Sequence, residues 1–214
     1  MKKILITIGR QSGSGGRRIG IRLGELLNIP CYDEELIKEA AKKGGYSEEV
    51  VQSYDEKPSK SFLYSFVMNH PSAGPYHNPG VILPLEQRVF LAQYNTIREL
   101  AEQGSAIFVG RCAEYALEEE ENVINIFITV NHQDAIAHIE ETYGYSLSKA
   151  KDFVKKTNKQ RSEYYNFYTN KEWGDASNYH LSVNRSVLGI EGTAELIADF
   201  IQRKMKEEAE EDQS

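Results

Sequence analysis

The sequence predicts an α/β fold in three layers, with helices on both faces of a five-stranded parallel sheet. Short apolar runs rich in β-branched residues alternate with amphipathic segments five times along the 214 residues. This alternation is typical of a parallel sheet that lies between two layers of helices. The chain is 40% hydrophobic, which suffices for one sizeable core. We therefore expect a single domain over residues 1–214.

The first strand, turn and helix form the most informative stretch. Ile4, Ile6 and Ile8 alternate in a run that predicts a buried strand. A turn rich in glycine and serine follows, and a helical repeat of apolar residues begins after it. Such a turn presents backbone N–H groups and the positive end of the helix dipole to an anion. A phosphate-binding loop is favoured here over an ordinary tight turn. Its residues are Gly9, Arg10, Gln11, Ser12, Gly13, Ser14, Gly15 and Gly16.

Arginines cluster around this loop although the net charge of the chain is −7. Guanidinium groups suit a phosphate ligand. The loop departs from the usual P-loop pattern, GxxxxGK[ST], because Gly16 stands at the lysine position and Arg18 near that of the hydroxyl that binds Mg²⁺. The arginines are Arg10, Arg17, Arg18 and Arg22.

Capping residues and glycines mark the later helices. Asp33, Ser47 and Ser146 are predicted N-caps, and Gly104 and Gly144 are predicted helix ends. Helices are predicted at 34–43, from 48, and at 84–103, 132–143, 147–168 and 190–205; strands are predicted at 31–32, 105–109, 122–130 and 179–184.

Residues 62–83 are the least informative segment. His70 and His77 lie in a stretch with the composition of a loop. Their spacing matches no pattern of metal ligands, so a plain loop is favoured and no metal site is predicted.

Several candidate binding residues follow the ends of predicted strands. They are residues 9–16, Asp33, Gly110 with Arg111, and Asn131. Ligands of parallel sheets bind beyond the carboxyl ends of the strands, so we expect these residues to converge there. For Arg111 the alternative is a structural arginine that pairs with a carboxylate at a helix start.

Composition narrows the classes of partner. The net charge of −7 argues against nucleic acid, and no apolar run approaches the roughly 18 residues of a membrane span. The two cysteines, Cys31 and Cys112, are far apart and imply no disulfide framework, which fits a cytoplasmic protein.

Six segments of the chain carry a family resemblance when they are taken together and in order: residues 6–17, 29–33, 109–112, 155–161, 173–175 and 179–184. They resemble the cytidylate kinase-like branch of the P-loop nucleoside monophosphate kinases. The resemblance implies a P-loop NTPase-type fold with a helical lid at about 144–175 and an acceptor-binding region at about 34–83. It also implies transfer of the γ-phosphoryl group of ATP, with Mg²⁺, to a small-molecule acceptor.

The same resemblance implies roles for single residues. Arg111 would contact the acceptor phosphate, Arg161 would neutralise charge from the lid, and Asp33 would orient the acceptor or a metal-bound water. Arg17 or Arg18 would replace the missing lysine.

Two other functions stay open. The loss of the lysine at Gly16 favours a nucleotide- or anion-binding regulatory protein without turnover, and a phosphate-ester hydrolase is a weaker option. The lid aromatics could stack a base, although a packing role is favoured. These aromatics are Tyr164, Tyr165, Phe167, Tyr168 and Trp173.

Overall fold

The computed structural model describes residues 3–57 and 83–211. Its five strands form one parallel sheet in the order β2-β3-β1-β4-β5. The central strand β1 pairs Leu5 with Ala106 on one side and with Val123 on the other. The predicted parallel α/β architecture is therefore confirmed. The strands are β1 (Leu5–Arg10), β2 (Cys31–Tyr32), β3 (Ala106–Val109), β4 (Val123–Thr129) and β5 (Leu181–Asn184).

Helices connect these strands and cover both faces of the sheet. They are α1 (Gly16–Leu27), α2 (Glu34–Gly44), α3 (Glu48–Tyr54), α4 (Leu85–Glu102), α5 (Ala113–Ala116), α6 (His132–Tyr143), α7 (Leu147–Thr169) and α8 (Arg185–Glu211). A 3₁₀ turn at Ala176–Asn178 precedes β5, and α8 is kinked at Gly189, where φ is 70°. The kink separates residues 185–188 from the rest of the helix, which is why the sequence pattern predicts a helix only from residue 190.

Alternation along β1 divides the core into two layers. Ile6 and Ile8 face α1 and α8, where Leu23 and Ile197 are fully buried. Leu5 faces the opposite layer and packs with residues of α4 and α5. Successive side chains of β1 thus point to opposite faces of the sheet, and both faces are buried, as is typical of a parallel sheet.

Local capping rules hold at several helix ends. The hydroxyl groups of Ser47 and Ser146 accept hydrogen bonds from the third backbone N–H of α3 and α7. Gly144 ends α6 in the left-handed conformation, with φ 63°. The prediction for Asp33 is wrong, because no capping hydrogen bond forms there. Its carboxylate pairs with arginines instead.

The long helix α7 joins two parts of the molecule. Its first half packs on α6 through Ala150 and Val154. Its second half is anchored to α4 by aromatic rings, and Tyr168 stacks on Phe90 with 3.7 Å between ring centroids. The packing interpretation of the lid aromatics is therefore favoured by the structure.

The structure also bears on the expectations for the histidines, the cysteines and a membrane span. His70, His77 and most of the unassigned stretch 62–83 lie outside the described residues. Neither Cys31 nor Cys112 is part of a disulfide in the described residues, and burial raises the pKa of Cys112 well above its usual value. Within the described ranges, no helix is both long and apolar enough to cross a membrane.

Candidate functional site

The glycine loop between β1 and α1 adopts a conformation that requires glycine. Gly13 and Gly15 have φ values of 75° and 70°. A Cβ at Gly13 would lie 2.7 Å from Cα of Ala135, so a side chain has no room there. The loop leads directly into α1, whose first N–H groups lack partners within the helix. This arrangement is the anion-binding geometry that the sequence predicts.

The outer side of the loop is braced by Arg185 at the start of α8. Its Nη2 donates to the carbonyl oxygen of Gly13 at 2.7 Å, and its Nε donates to that of Ser14 at 3.2 Å. These bonds fix two peptide planes of the loop. Sequence reasoning missed Arg185, because about 170 residues separate it from the loop and no local pattern connects them.

The inner side of the loop is contacted by α7. The backbone N–H of Ser12 donates to Oδ1 of Asn158 at 2.6 Å. An amide oxygen of the predicted lid thus occupies a donor that the sequence assigns to a phosphate. The contact places the middle of α7 against the loop.

Arg111 follows β3 in a turn of three consecutive left-handed residues. The φ values are 78°, 55° and 53° for Gly110, Arg111 and Cys112. Non-glycine residues rarely adopt this conformation, and such strain is often found at functional sites. The turn folds the Arg111 side chain back over the end of the sheet, where it is 5% exposed.

Two carboxylates hold the Arg111 guanidinium. Its Nε and Nη2 donate to the two carboxylate oxygens of Asp55 at 3.1 Å each, and its Nη1 donates to Asp33 at 2.6 Å. Burial lowers the pKa of Arg111, but Asp55, Asp33 and Glu56 outweigh this effect and raise it above its ordinary value. Asp33 and Arg111 are thus brought together as predicted, although as partners of each other.

Glu56 gathers a second set of donors beside Arg111. Nη1 of Arg10 donates to Oε1, and Nε of Arg161 donates to Oε2 at 3.0 Å. The backbone N–H of Arg111 lies 3.3 Å from Oε1. Burial raises the pKa of Glu56, but Arg10, Arg161 and Arg111 outweigh it and hold the pKa well below its usual range. The carboxylate is therefore ionised at neutral pH.

The side chain of Arg10 crosses from the loop to the end of β3. A Cβ at Gly16 would lie 2.8 Å from Cβ and 2.9 Å from Cγ of Arg10, and a Cβ at Gly110 would overlap its guanidinium. The Arg10 stem thus fills the space beside the position where the P-loop pattern has lysine. Sequence analysis places Arg10 in the loop and among the arginines that suit a phosphate, but it does not predict this contact of the side chain with Gly16 and Gly110.

The remaining predicted arginines lie farther out. Arg17 is half-exposed, with its Nε 3.4 Å from Asp33 at the rim of the cluster. Arg18 is exposed, and the pKa of His138 is lowered by burial and by the charges of Arg185 and Arg18. Arg22 pairs with Glu25 and Glu191. Of the loop arginines, Arg10 and Arg17 reach the cluster that contains Arg111 and Arg161.

A small cavity lies behind the cluster. Its volume is about 20 Å³, which is room for one water molecule. Glu114 borders it, and burial raises the pKa of this carboxyl to about 7. Glu114 lies near Tyr165 and Tyr179, whose hydroxyl groups are buried beside the same cavity.

The site suits an anion better than a free metal ion. Positive φ values, the helix start and three guanidinium groups all fit a polyphosphate. No group of three histidine, cysteine, aspartate or glutamate side chains that could hold a metal occurs in residues 3–57 and 83–211. Asp33 is already bound to Arg111. These residues do not form a Mg²⁺ site of their own.

Comparison with solved structures agrees with the observed fold. An uncharacterized protein from Eubacterium ventriosum ATCC 27560 is 32% identical with a TM-score of 0.71, and the alignment covers 94% of this chain and 99% of that one. Shikimate kinase from Bacteroides thetaiotaomicron is 14% identical with a TM-score of 0.53, over 94% and 99% of the two chains. Deoxyadenosine kinase from M. mycoides, solved with bound dATP, is 16% identical with a TM-score of 0.50, over 93% and 100%. The two kinases show a shared fold.

Comparison of sequences gives the family. No curated protein matches the chain. The sequence profile of the cytidylate kinase-like family matches residues 5–187, which include the glycine loop, Arg111 and Arg161. The chain belongs to the cytidylate kinase-like family.

Proposed function

We propose that this protein transfers the γ-phosphoryl group of ATP to a small-molecule acceptor. The observation that carries the proposal is the meeting of Arg10, Arg111 and Arg161 beside the glycine loop, at the carboxyl end of a parallel sheet. These residues come from three distant segments. Phosphoryl transfer needs positioning and charge neutralisation with little covalent chemistry, and guanidinium groups on rigid elements supply both.

The donor phosphates would lie against the loop. Backbone amides of residues 9–16 bind them, and the half-exposed Arg17 is better placed than Arg18 to reach their oxygens. ATP brings Mg²⁺ with it, as Mg²⁺ is commonly bound through substrate phosphates. Asn158 would release the N–H of Ser12 when a phosphate oxygen takes its place.

The acceptor would lie on the side of Arg111. Arg111 binds the anionic group of the acceptor. Asp33, whose carboxylate accepts a hydrogen bond from the Arg111 guanidinium in the structure, orients the acceptor beside it. Arg161 stabilises charge on the transferring group from the predicted lid at 144–175, and closure of this lid excludes water from the reaction. The acceptor region is proposed at 34–83. A cytoplasmic location is proposed, and it fits two cysteines that form no disulfide in the described residues.

Binding and turnover test the proposal in sequence. Isothermal titration with ATP and GTP comes first, followed by a screen for phosphoryl transfer to nucleotides and small hydroxyl-bearing anions. Arg161→Met is compared with Arg203→Met, which removes an exposed arginine that pairs with Asp199. Transfer that fails in the first variant and persists in the second supports the proposal. Absence of nucleotide binding at millimolar concentration refutes it.

A nucleotide-binding regulatory protein is the second candidate. It is favoured by Gly16, where the P-loop lysine is expected, and by the pairing of the buried arginines with the carboxylates of Asp33, Asp55 and Glu56. Such a protein binds nucleotide equally well without Mg²⁺ and transfers nothing. Phosphate release from ATP without any acceptor would instead indicate a hydrolase.

A further inference from the structure

The contacts of the Glu56 carboxylate are those of a bound anion. Its two oxygens accept from Arg10 Nη1, Arg161 Nε and the backbone N–H of Arg111. Guanidinium and backbone N–H groups that converge on one point are also the donors that proteins use for phosphate. Arg161 Nη1 additionally donates to the carbonyl oxygen of Arg10 at 3.2 Å, which fixes the two arginines relative to each other.

The backbone at Glu56 is held in place from outside. Its φ is 50°, a conformation that a non-glycine residue adopts only when its surroundings enforce it. Nε2 of Gln160, in the predicted lid, donates to the carbonyl oxygen of Glu56 at 3.2 Å. The ion pairs of Glu56 and this hydrogen bond therefore maintain a strained residue, and the strain is relieved when the contacts are released.

We propose that Glu56 occupies a phosphoryl-binding site formed by Arg10, Arg161 and the backbone N–H of Arg111, and that a phosphate-bearing ligand binds by displacing it. Arg10 is the residue of this site that replaces the missing P-loop lysine, because its stem fills the space beside Gly16. The inference rests on the proposed function, since it locates the phosphoryl group within the same cleft.

The charges in the cluster explain why displacement is required. Three buried guanidinium groups, those of Arg10, Arg111 and Arg161, face three carboxylates, those of Asp33, Asp55 and Glu56. A phosphoryl group adds up to two negative charges to a site that already holds these three carboxylates. Like charges in a poorly solvated site repel strongly, so a carboxylate must leave. Glu56 is the one that shares its donors with the phosphoryl position.

The test measures anion affinity in a variant that lacks the competing charge. Wild type and Glu56→Gln are titrated with inorganic tripolyphosphate by calorimetry. The control is Glu119→Gln, which makes the same charge change in an exposed residue that pairs with Arg98. We expect Glu56→Gln to bind about tenfold more tightly than wild type, and the control to stay within about twofold. In the double variant Glu56→Gln with Arg10→Gly, the gain should disappear.

Each outcome decides the inference. Equal affinity in Glu56→Gln and Glu119→Gln overturns it, as does a gain that survives loss of Arg10. If Glu56→Gln is unfolded without ligand, tripolyphosphate should restore its cooperative thermal transition, and failure of this rescue also overturns the inference. Tighter binding without phosphoryl transfer would leave the anion site in place and remove the kinase proposal. If wild type transfers phosphoryl groups but Glu56→Gln binds tripolyphosphate no more tightly, the kinase proposal stands and the inference about Glu56 is overturned.

Discussion

Replacing Gly16 by alanine tests the contact between the glycine loop and the stem of Arg10. The new Cβ would lie 2.8 Å from Cβ and 2.9 Å from Cγ of Arg10, whereas carbon atoms pack at about 3.5–4.0 Å. The Arg10 Cβ is fixed to the end of β1 and cannot rotate away. Overpacking of this kind costs about 1–3 kcal/mol, so we expect Gly16→Ala to lower the free energy of unfolding by that amount.

A double-mutant cycle isolates this contact. Arg10→Gly removes both clashing atoms, and Gly16→Ala should then be neutral or stabilising, as alanine favours the helix. The expected coupling energy is about 2 kcal/mol, measured as the shift in the urea midpoint at constant m. Gly192→Ala is the control, because its Cβ would meet Leu188 rather than Arg10. Equal costs of Gly16→Ala in both backgrounds would refute the reasoning.

The same pair of positions offers a functional variant. Arg10→Gly with Gly16→Lys restores the GxxxxGK pattern and leaves room for the lysine. We expect this double variant to bind ATP more tightly than Arg10→Gly alone, whereas Gly16→Lys alone should be destabilised. Calorimetry with ATP measures the first comparison, and urea unfolding measures the second.

Three more predictions concern the lid and the buried carboxyl. Arg161→Met should lower kcat for phosphoryl transfer by about 10³-fold and change KM for ATP less, as steady-state kinetics would show. Since burial raises the pKa of Glu114 to about 7, the native state holds its proton where the unfolded state has lost it, and stability falls as pH rises from about 4.5 to 7. Glu114→Gln should remove about 3 kcal/mol of this pH-dependent loss in the free energy of unfolding. The stability of the variant relative to wild type, measured by urea unfolding, should therefore be higher at pH 8 than at pH 5. Ser146→Ala removes the cap of α7 and should cost about 1 kcal/mol in the same assay.

Local rules explain how much of the fold could be predicted. The alternation in β1, the hydroxyl groups at Ser47 and Ser146, and the glycine at 144 act within a few residues, and each has the predicted effect in the structure. Asp33 fails as a cap because a buried guanidinium 78 positions away binds its carboxylate more strongly than a backbone N–H does.

The candidate site could be predicted only in part. Arg111 is predicted as a site residue because it follows the end of a strand, and Arg161 because of the family resemblance. Glu56 and Asp55 lie in a polar stretch without any motif, and their role depends on arginines 46 to 105 positions away. The proposal that Arg10 replaces the lysine likewise rests on the three-dimensional contact between Arg10 and Gly16, which no sequence pattern predicts.

The bracing of the glycine loop by Arg185 links the order of folding to ligand binding. The two carbonyl groups that it holds belong to Gly13 and Ser14, 172 and 171 positions earlier in the sequence. Contacts of such sequence separation form late, because a long chain segment must first be closed. A nascent chain that stops before β5 is complete therefore has its glycine loop without this brace. We expect ribosome-bound fragments that end at residue 180 to bind no ATP, even though four of the five strands have been made.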